Sequence, residues 1–335
     1  MVSGRPLSWC WGKGVHDATE AVRFIGRYSA FSVLGHREPD GDCIASQLGM
    51  ASLLRALGKT VSLHSAGPFD RPEIASFSGS FSVTMGAEPD AGRAVIILDC
   101  STPDRTGSLG ERIGDMPCLV IDHHSSGEAF GTARFVEPSA PSTTMLVHRL
   151  FEDLGVAPDA ETARLLLFGL CTDTGFFRHL GANSADTFRA VARLVECGTS
   201  TAEAYMMVYG RRELASRKLL AAMLSRVESH WGERLLLTWQ TMEDRTRLGV
   251  TQRGEDEVYR LLQTISGNVV VALIKEEHTG MFSVGLRSSS SLDVGAIAAS
   301  FGGGGHKQAS GFDITGTLDS VKETVIASFV SHLAL

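Results

Sequence analysis

Two short stretches made wholly of apolar residues, Val95-Ile96-Ile97-Leu98 and Leu119-Val120-Ile121, each run straight into an aspartate, Asp99 and Asp122. A strand with one face in water alternates apolar and polar residues. A run without alternation fits a strand covered on both faces, as in a parallel sheet layered with helices. Phe31 to Gly35 and Thr60 to His64 are further strand-like segments. Between them, Asp42 to Leu57 carries Ile44, Leu48, Ala51 and Leu54 at helical spacing and stops at Gly58, a good terminator. Helical patterns follow at 142–154, 159–172 and 184–197. The expected fold is α/β, with an N-terminal doubly wound, mainly parallel sheet domain. A strong helical pattern at 211–229 precedes a change of texture. Leu235 to Trp239, Asn268 to Ile274 and Met281 to Leu286 read as strands of a smaller C-terminal α/β domain. The expected boundaries are residues 1–199 for the first domain, 200–229 for a helical linker and 230–335 for the second domain; 335 residues suffice for both.

No apolar stretch approaches the roughly 20 residues that span a bilayer, so no membrane association is expected. The N-terminal Trp9, Trp11, Lys13 and His16 have no apolar run behind them and do not read as a secretory signal. Six cysteines form no CxxC pair, and several sit in apolar segments, which suits reduced, buried thiols in a cytoplasmic protein. The formal net charge is -7. Proteins that track long nucleic acid usually present an excess of basic residues to the phosphates, so a small or short anionic substrate is expected instead.

Four segments place acidic residues or histidines at the tips of these elements. His36, Asp40 and Asp42 occupy the loop after the first strand, where Pro39 and Gly41 bend the chain. Asp99 follows the Val95 run, Asp122-His123-His124 follows the Leu119 run, and Asp173 closes an apolar helix. Taken singly, Asp99 reads as a cap, Asp40 and Asp42 as a turn and an N-cap, His123-His124 as a surface or core pair, and Asp173 as a helix-end cap. Taken together they converge, because the carboxyl ends of neighbouring parallel strands share one edge. Carboxylates and imidazoles crowded there repel or lose hydration unless a cation sits among them. Carboxylates with a few imidazoles and no cysteine suit manganese or magnesium more than zinc. Two such cations can hold a bridging hydroxide for in-line attack on a phosphoryl group. Thr143 and Thr144, after Pro141-Ser142, read as a helix start. Arg105 and Arg178 lie just past site segments, and each is open to a surface or a phosphate-facing reading. His64, His148, His179 and His230 have no partner pattern and read as structural or exposed.

The set His36-x3-Asp40-x-Asp42, Asp99, Asp122-His123-His124 and Asp173 resembles the signature of the DHH phosphoesterase family, named for its Asp-His-His triplet. The likeness covers nearly the whole chain, since the second half resembles the DHH-associated C-terminal domain. The resemblance implies one metal held by His36, Asp40 and Asp99, and another held by Asp42, Asp99, His123 and Asp173, with Asp99 bridging. It further implies that His124 contacts the scissile phosphate or acts as an acid near the leaving group, while Asp122 orients its neighbours.

The remaining signal is Phe301-Gly302-Gly303-Gly304-Gly305-His306-Lys307, with Arg287-Ser288 upstream. On its residues the glycine run is open to two readings: a flexible loop, or a cradle whose N–H groups meet an anion, aided by a following helix start. It resembles the substrate-binding motif of the family's C-terminal domain, which implies that Arg287, Ser288, Gly303, Gly304, Gly305 and His306 grip the end of a substrate. Two domains facing each other across a cleft would then favour short substrates. Length and motif order look most like the nanoRNase branch. The implied activity is hydrolysis of very short oligoribonucleotides to mononucleotides, and of 3′-phosphoadenosine 5′-phosphate (pAp) to AMP. The implied partners are short RNA or DNA oligonucleotides and small nucleotides, and a homodimer is left open. The alternatives are a linear or cyclic dinucleotide phosphodiesterase and a non-catalytic nucleotide sensor.

Overall fold

In the computed structural model, which describes residues 18–86, 92–210, 212–251 and 256–333, the chain divides into two compact units at residue 211/212. Trp9, Trp11 and Cys10 lie outside the described residues. The first unit holds five strands, β1 (Ala30–Leu34), β2 (Thr60–His64), β3 (Arg93–Leu98), β4 (Cys118–Asp122) and β5 (Ala133–Val136). They pair in the order β2-β1-β3-β4-β5, every pair parallel. Both faces are buried, as the unbroken apolar runs require. Ile96, Leu98, Leu119 and Ile121 pack into the larger core, while Leu34, Val95, Ile97 and Val120 fill a second cluster on the opposite face.

Six helices accompany this sheet: α1 (Thr19–Arg27), α2 (Gly41–Ala56), α3 (Thr143–Asp153), α4 (Ala160–Asp173), α5 (Ala185–Glu196) and α6 (Thr201–Tyr209). The helical patterns of the sequence and these helices agree to within a residue or two. Small residues let α2 and α4 cross closely. A Cβ on Gly49 would meet the Leu166 side chain at 2.7 Å, and one on Gly169 would meet Ala45 Cβ at 2.8 Å. The strand order changes direction between β1 and β3, and in open parallel sheets the crevice beyond the carboxyl ends at such a point receives ligands. His36, Asp40 and Asp42 follow β1, and Asp99 follows β3.

The second unit runs α7 (Leu214–Ser225), β6 (Glu228–His230), β7 (Leu235–Gln240), α8 (Met242–Leu248), α9 (Asp256–Leu262), β8 (Val270–His278), β9 (Met281–Ser288), α10 (Val294–Ser300), β10 (Gly304–His306), β11 (Ala309–Thr315) and α11 (Leu318–Leu333). Its sheet order is β10-β11-β9-β8-β7-β6, with β7 and β8 parallel and the other pairs antiparallel. Two sequence expectations are corrected here. The helical pattern at 211–229 ends earlier, because Glu228 pairs with Leu237 and is drawn into the sheet. No helix start follows the glycine run; the chain turns into the β10–β11 hairpin, and α10 precedes it. The span expected as a linker, 200–229, carries α6 in the first unit and α7 in the second. Among the described residues, no helix is long and apolar enough to cross a membrane. Cys43, Cys100, Cys118 and Cys171 are buried and free, as expected of reduced thiols, and Cys197 is half-buried.

Candidate metal centre

Asp99 lies at the middle of the cluster. It leaves β3 with φ of 57°, a left-handed conformation that aspartate tolerates better than most side chains. Its Oδ2 is 3.4 Å from His36 Nε2, and its Oδ1 is 3.6 Å from His123 Nε2 and 3.7 Å from His124 Nδ1. His123 Nε2 also lies 3.3 Å from Asp173 Oδ2. Three sets of donor atoms gather within 4.8 Å of one another and could each hold a cation: His36, Cys43 and Asp99; Asp99, His123 and His124; and Asp42, His123 and Asp173. Of the sequence-expected ligands, only Asp40 stands outside these sets. Its Oδ1 accepts from the Cys43 N–H at 3.0 Å and caps α2.

The N-terminus of α3 organises the carboxylates. Asp42 Oδ2 accepts from Thr143 N–H at 2.6 Å, and its Oδ1 accepts from Thr144 N–H at 3.0 Å and from the Thr144 hydroxyl at 2.7 Å. The Thr143 hydroxyl donates to Asp99 Oδ1 at 3.1 Å. One helix start thus holds two buried acids with its free N–H groups, its hydroxyls and its dipole. The sequence reading took Thr143 and Thr144 only as a helix start, and missed what that start touches. It also missed Cys43, whose sulfur borders His36 and Asp99. Burial, only partly offset by His36, pushes the Cys43 thiol up, which makes it a poor anionic ligand.

The imidazoles are held by their other nitrogens. His36 Nδ1 bonds the Arg37 carbonyl at 2.8 Å, and His123 Nδ1 bonds the Ala140 carbonyl at 3.3 Å, so both offer Nε2 to the cluster. Asp122 Oδ1 accepts from the His123 and His124 N–H groups at 2.8 and 3.2 Å and bonds His124 Nδ1 at 2.7 Å. That bond, against the opposing effect of burial, raises the His124 pKa.

Burial and like charge act together on the carboxylates of the cluster. Burial, and then Asp99 and Asp173, push the Asp42 carboxyl well above its ordinary range. Burial pushes Asp173 up to about 6, with His123 pulling the other way. Burial also works against ionisation of Asp99, but His36, His123 and His124 outweigh it and hold that carboxyl low. Carboxylate oxygens and imidazole nitrogens with crowded negative charge are a donor set that fits a divalent cation.

In the second unit, Arg287 on β9 pairs with Ala309, and Ala309 pairs with His306, so Arg287 and His306 share one row and one face of the sheet. The Arg287 guanidinium lies over the Tyr259 ring at 4.6 Å. Gly285 leaves room for that ring; a Cβ there would meet the Tyr259 hydroxyl at 2.0 Å. Ser288 is buried and bonds Ser290. Gly303 has no room for a side chain, since a Cβ would lie 2.3 Å from the Gly311 carbonyl. Gly304 and Gly305 face Gly311 and Ser310 in the hairpin.

The sequence profile of the DHH family, N-terminal domain, matches residues 30–170, and that of the DHHA1 domain matches residues 246–331. The chain is 32% identical over 302 residues to the bifunctional oligoribonuclease and PAP phosphatase NrnA of Thermus thermophilus, covering 89% of this chain and 88% of that one. The chain belongs to the DHH family. It is also 32% identical over 186 residues to a probable manganese-dependent inorganic pyrophosphatase of Streptococcus suis, covering 53% of this chain and 58% of the relative. Among solved structures it is similar to an exopolyphosphatase-related protein from Bacteroides fragilis, with a TM-score of 0.85, 22% identity and coverage of 97% and 99% of the two chains. That likeness speaks to the DHH fold alone.

Proposed function

We propose that this DHH-family chain is a phosphoesterase that hydrolyses very short oligoribonucleotides to mononucleotides and pAp to AMP. The observation that carries the reading is the gathering of His36, Asp42, Asp99, His123 and Asp173 into overlapping donor sets linked through Asp99 and His123, in a chain aligned over most of its length with a bifunctional oligoribonuclease and PAP phosphatase. Two divalent cations fit this donor set. His36 and Asp99 would hold one, with Asp40 joining them only through the carboxylate oxygen that does not cap α2; Asp42, Asp99, His123 and Asp173 would hold the other. Manganese suits the mixture of carboxylates and imidazoles, and a relative bears that metal in its name. Bound there, the cations supply a water of lowered pKa and neutralise charge on the phosphoryl oxygens. Asp122 orients His124, and His124, its protonated form favoured by that bond, donates toward the departing oxygen. Arg287 and His306, on one face of the second sheet, are the cation and donor suited to a nucleotide's terminal phosphate.

Purified protein with added manganese, incubated with pAp, a ribodinucleotide, a pentamer, a 24-mer, pGpG and cyclic di-AMP and read by product chromatography, tests this. AMP from pAp and mononucleotides from the dinucleotide are expected, with rates falling as length grows. Turnover confined to cyclic di-AMP, or rates that climb with length, would overturn it.

A further inference from the structure

Beside the metal centre, on the sheet face opposite α2, α3 and α4, a cavity of about 310 Å³ opens at the carboxyl ends of β3, β4 and β5. One wall is His124, with Asp122 behind it. The floor is apolar, made by Val120, Val136 and the half-buried ring of Phe130. The rim carries the exposed hydroxyls of Ser125 and Ser126, the exposed Arg134 and the exposed carboxylate of Glu128, which disfavours a run of phosphates there. Nothing in the reaction as described uses Phe130, Ser125, Ser126 or Arg134. The loop that shapes the rim is held in place: Gly127, at φ 132°, lies so close to the Ser101 carbonyl that a Cβ would come within 2.1 Å of it.

We propose that this cavity is a nucleoside subsite, which receives the nucleoside on the departing oxygen of a dinucleotide substrate. The inference rests on the phosphoesterase reading above and adds which substrate part lies where. The volume sits at the small end of ligand pockets, enough for one nucleoside. An aromatic ring in an apolar floor suits a base, which stacks without regard to sequence. Serine hydroxyls suit ribose hydroxyls, and a single arginine suits one further phosphate. A chain of phosphates alone would leave the apolar floor unused and find only one cation. His124 forms the wall nearest the metal centre, so a nucleoside in the cavity hangs from the oxygen to which His124 donates.

The test compares two substrates in the manganese-loaded protein. A ribodinucleotide has a departing nucleoside; the p-nitrophenyl ester of thymidine 5′-phosphate departs as p-nitrophenolate and needs no subsite. Phe130→Ala, Arg134→Ala and the cavity-filling Ser126→Trp are each compared with the parent protein. The expected result is a fall in kcat/KM for the dinucleotide of about 30-fold for Phe130→Ala, the size of a lost base stack. Cleavage of the p-nitrophenyl ester should change by less than about threefold, which also shows that the variant is folded. Equal losses on both substrates, or no loss on either, would overturn the subsite while leaving the phosphoesterase reading in place. Parent protein inactive on both substrates would overturn that reading, and the subsite with it.

Discussion

Asp99 combines a left-handed backbone, near-complete burial and three imidazole neighbours. Asn tolerates the same φ, so Asp99→Asn should keep the fold while removing the charge that two cations would share. The expected outcome is loss of at least about 1,000-fold in turnover with an unchanged melting temperature; turnover within tenfold of the parent would remove Asp99 from the centre. Thr143 acts one step back. Thr143→Val preserves shape but deletes the hydroxyl that reaches Asp99 at 3.1 Å, and manganese affinity measured by calorimetry should fall about 10–100-fold. Thr143→Ser should restore it, and an unaltered affinity in the valine variant would show that the hydrogen bond does no positioning. Asp99, His123 and Asp173 each have an ordinary reading as a cap or core residue, and what the sequence makes legible is their joint placement, with His36, at element tips that share one edge. Thr143 was not legible, because a threonine at a helix start is ordinary and only the fold reveals that the start faces Asp42.

At the scale of elements, α3 does two things. Its first turn holds the carboxylates, and its second buries His148, whose Nδ1 has no hydrogen-bond partner among the described residues. Burial, and then the nearby Arg193, lower the His148 pKa to about 4 from 6.5. The folded chain therefore resists a proton that the unfolded chain accepts. This contribution is fully present above pH 6.5 and is lost as pH falls toward 4, up to about 3 kcal/mol. Denaturant unfolding of the parent and of His148→Leu across that range should show the parent losing the larger share; parallel pH profiles would contradict the assignment. The crossing of α2 and α4 is equally specific. Gly169→Ala would set a Cβ 2.8 Å from Ala45 Cβ on α2 and 2.4 Å from Thr144 Cγ2 on α3, so a destabilisation of about 1–3 kcal/mol is expected, with reduced metal affinity as Thr144 is pushed from Asp42. A variant as stable and as tight-binding as the parent would argue against so close a crossing. The central strands β3 and β4 were legible because strands buried on both faces are unbroken apolar runs. Glu228 and Ser229 read as helix because their pairing with β7 is a tertiary contact with no local pattern, and β5 is too short to announce itself.

For the whole molecule, net charge and cation chemistry belong together. With a net charge of -7, the chain relies on local positive groups to take up a polyanion. Divalent cations held in the Asp42–Asp99–Asp173 cluster would relieve its internal repulsion, so their binding should stabilise the fold. At a hundredfold excess over the dissociation constant the gain is about 2.7 kcal/mol, which a thermal melt with and without manganese would show; identical melts would count against the centre. A second sheet was readable from the change of texture after α7, whereas the division between the units falls before that helix, at 211/212. The cavity beside His124 was not readable, since it is made by residues from three strand ends that no sequence spacing links. Two cations sharing Asp99 would be seen most directly by anomalous diffraction from manganese-soaked crystals. Two peaks about 3.5–4 Å apart on either side of the Asp99 carboxylate are the result expected; a lone peak, or peaks remote from Asp99, would contradict it.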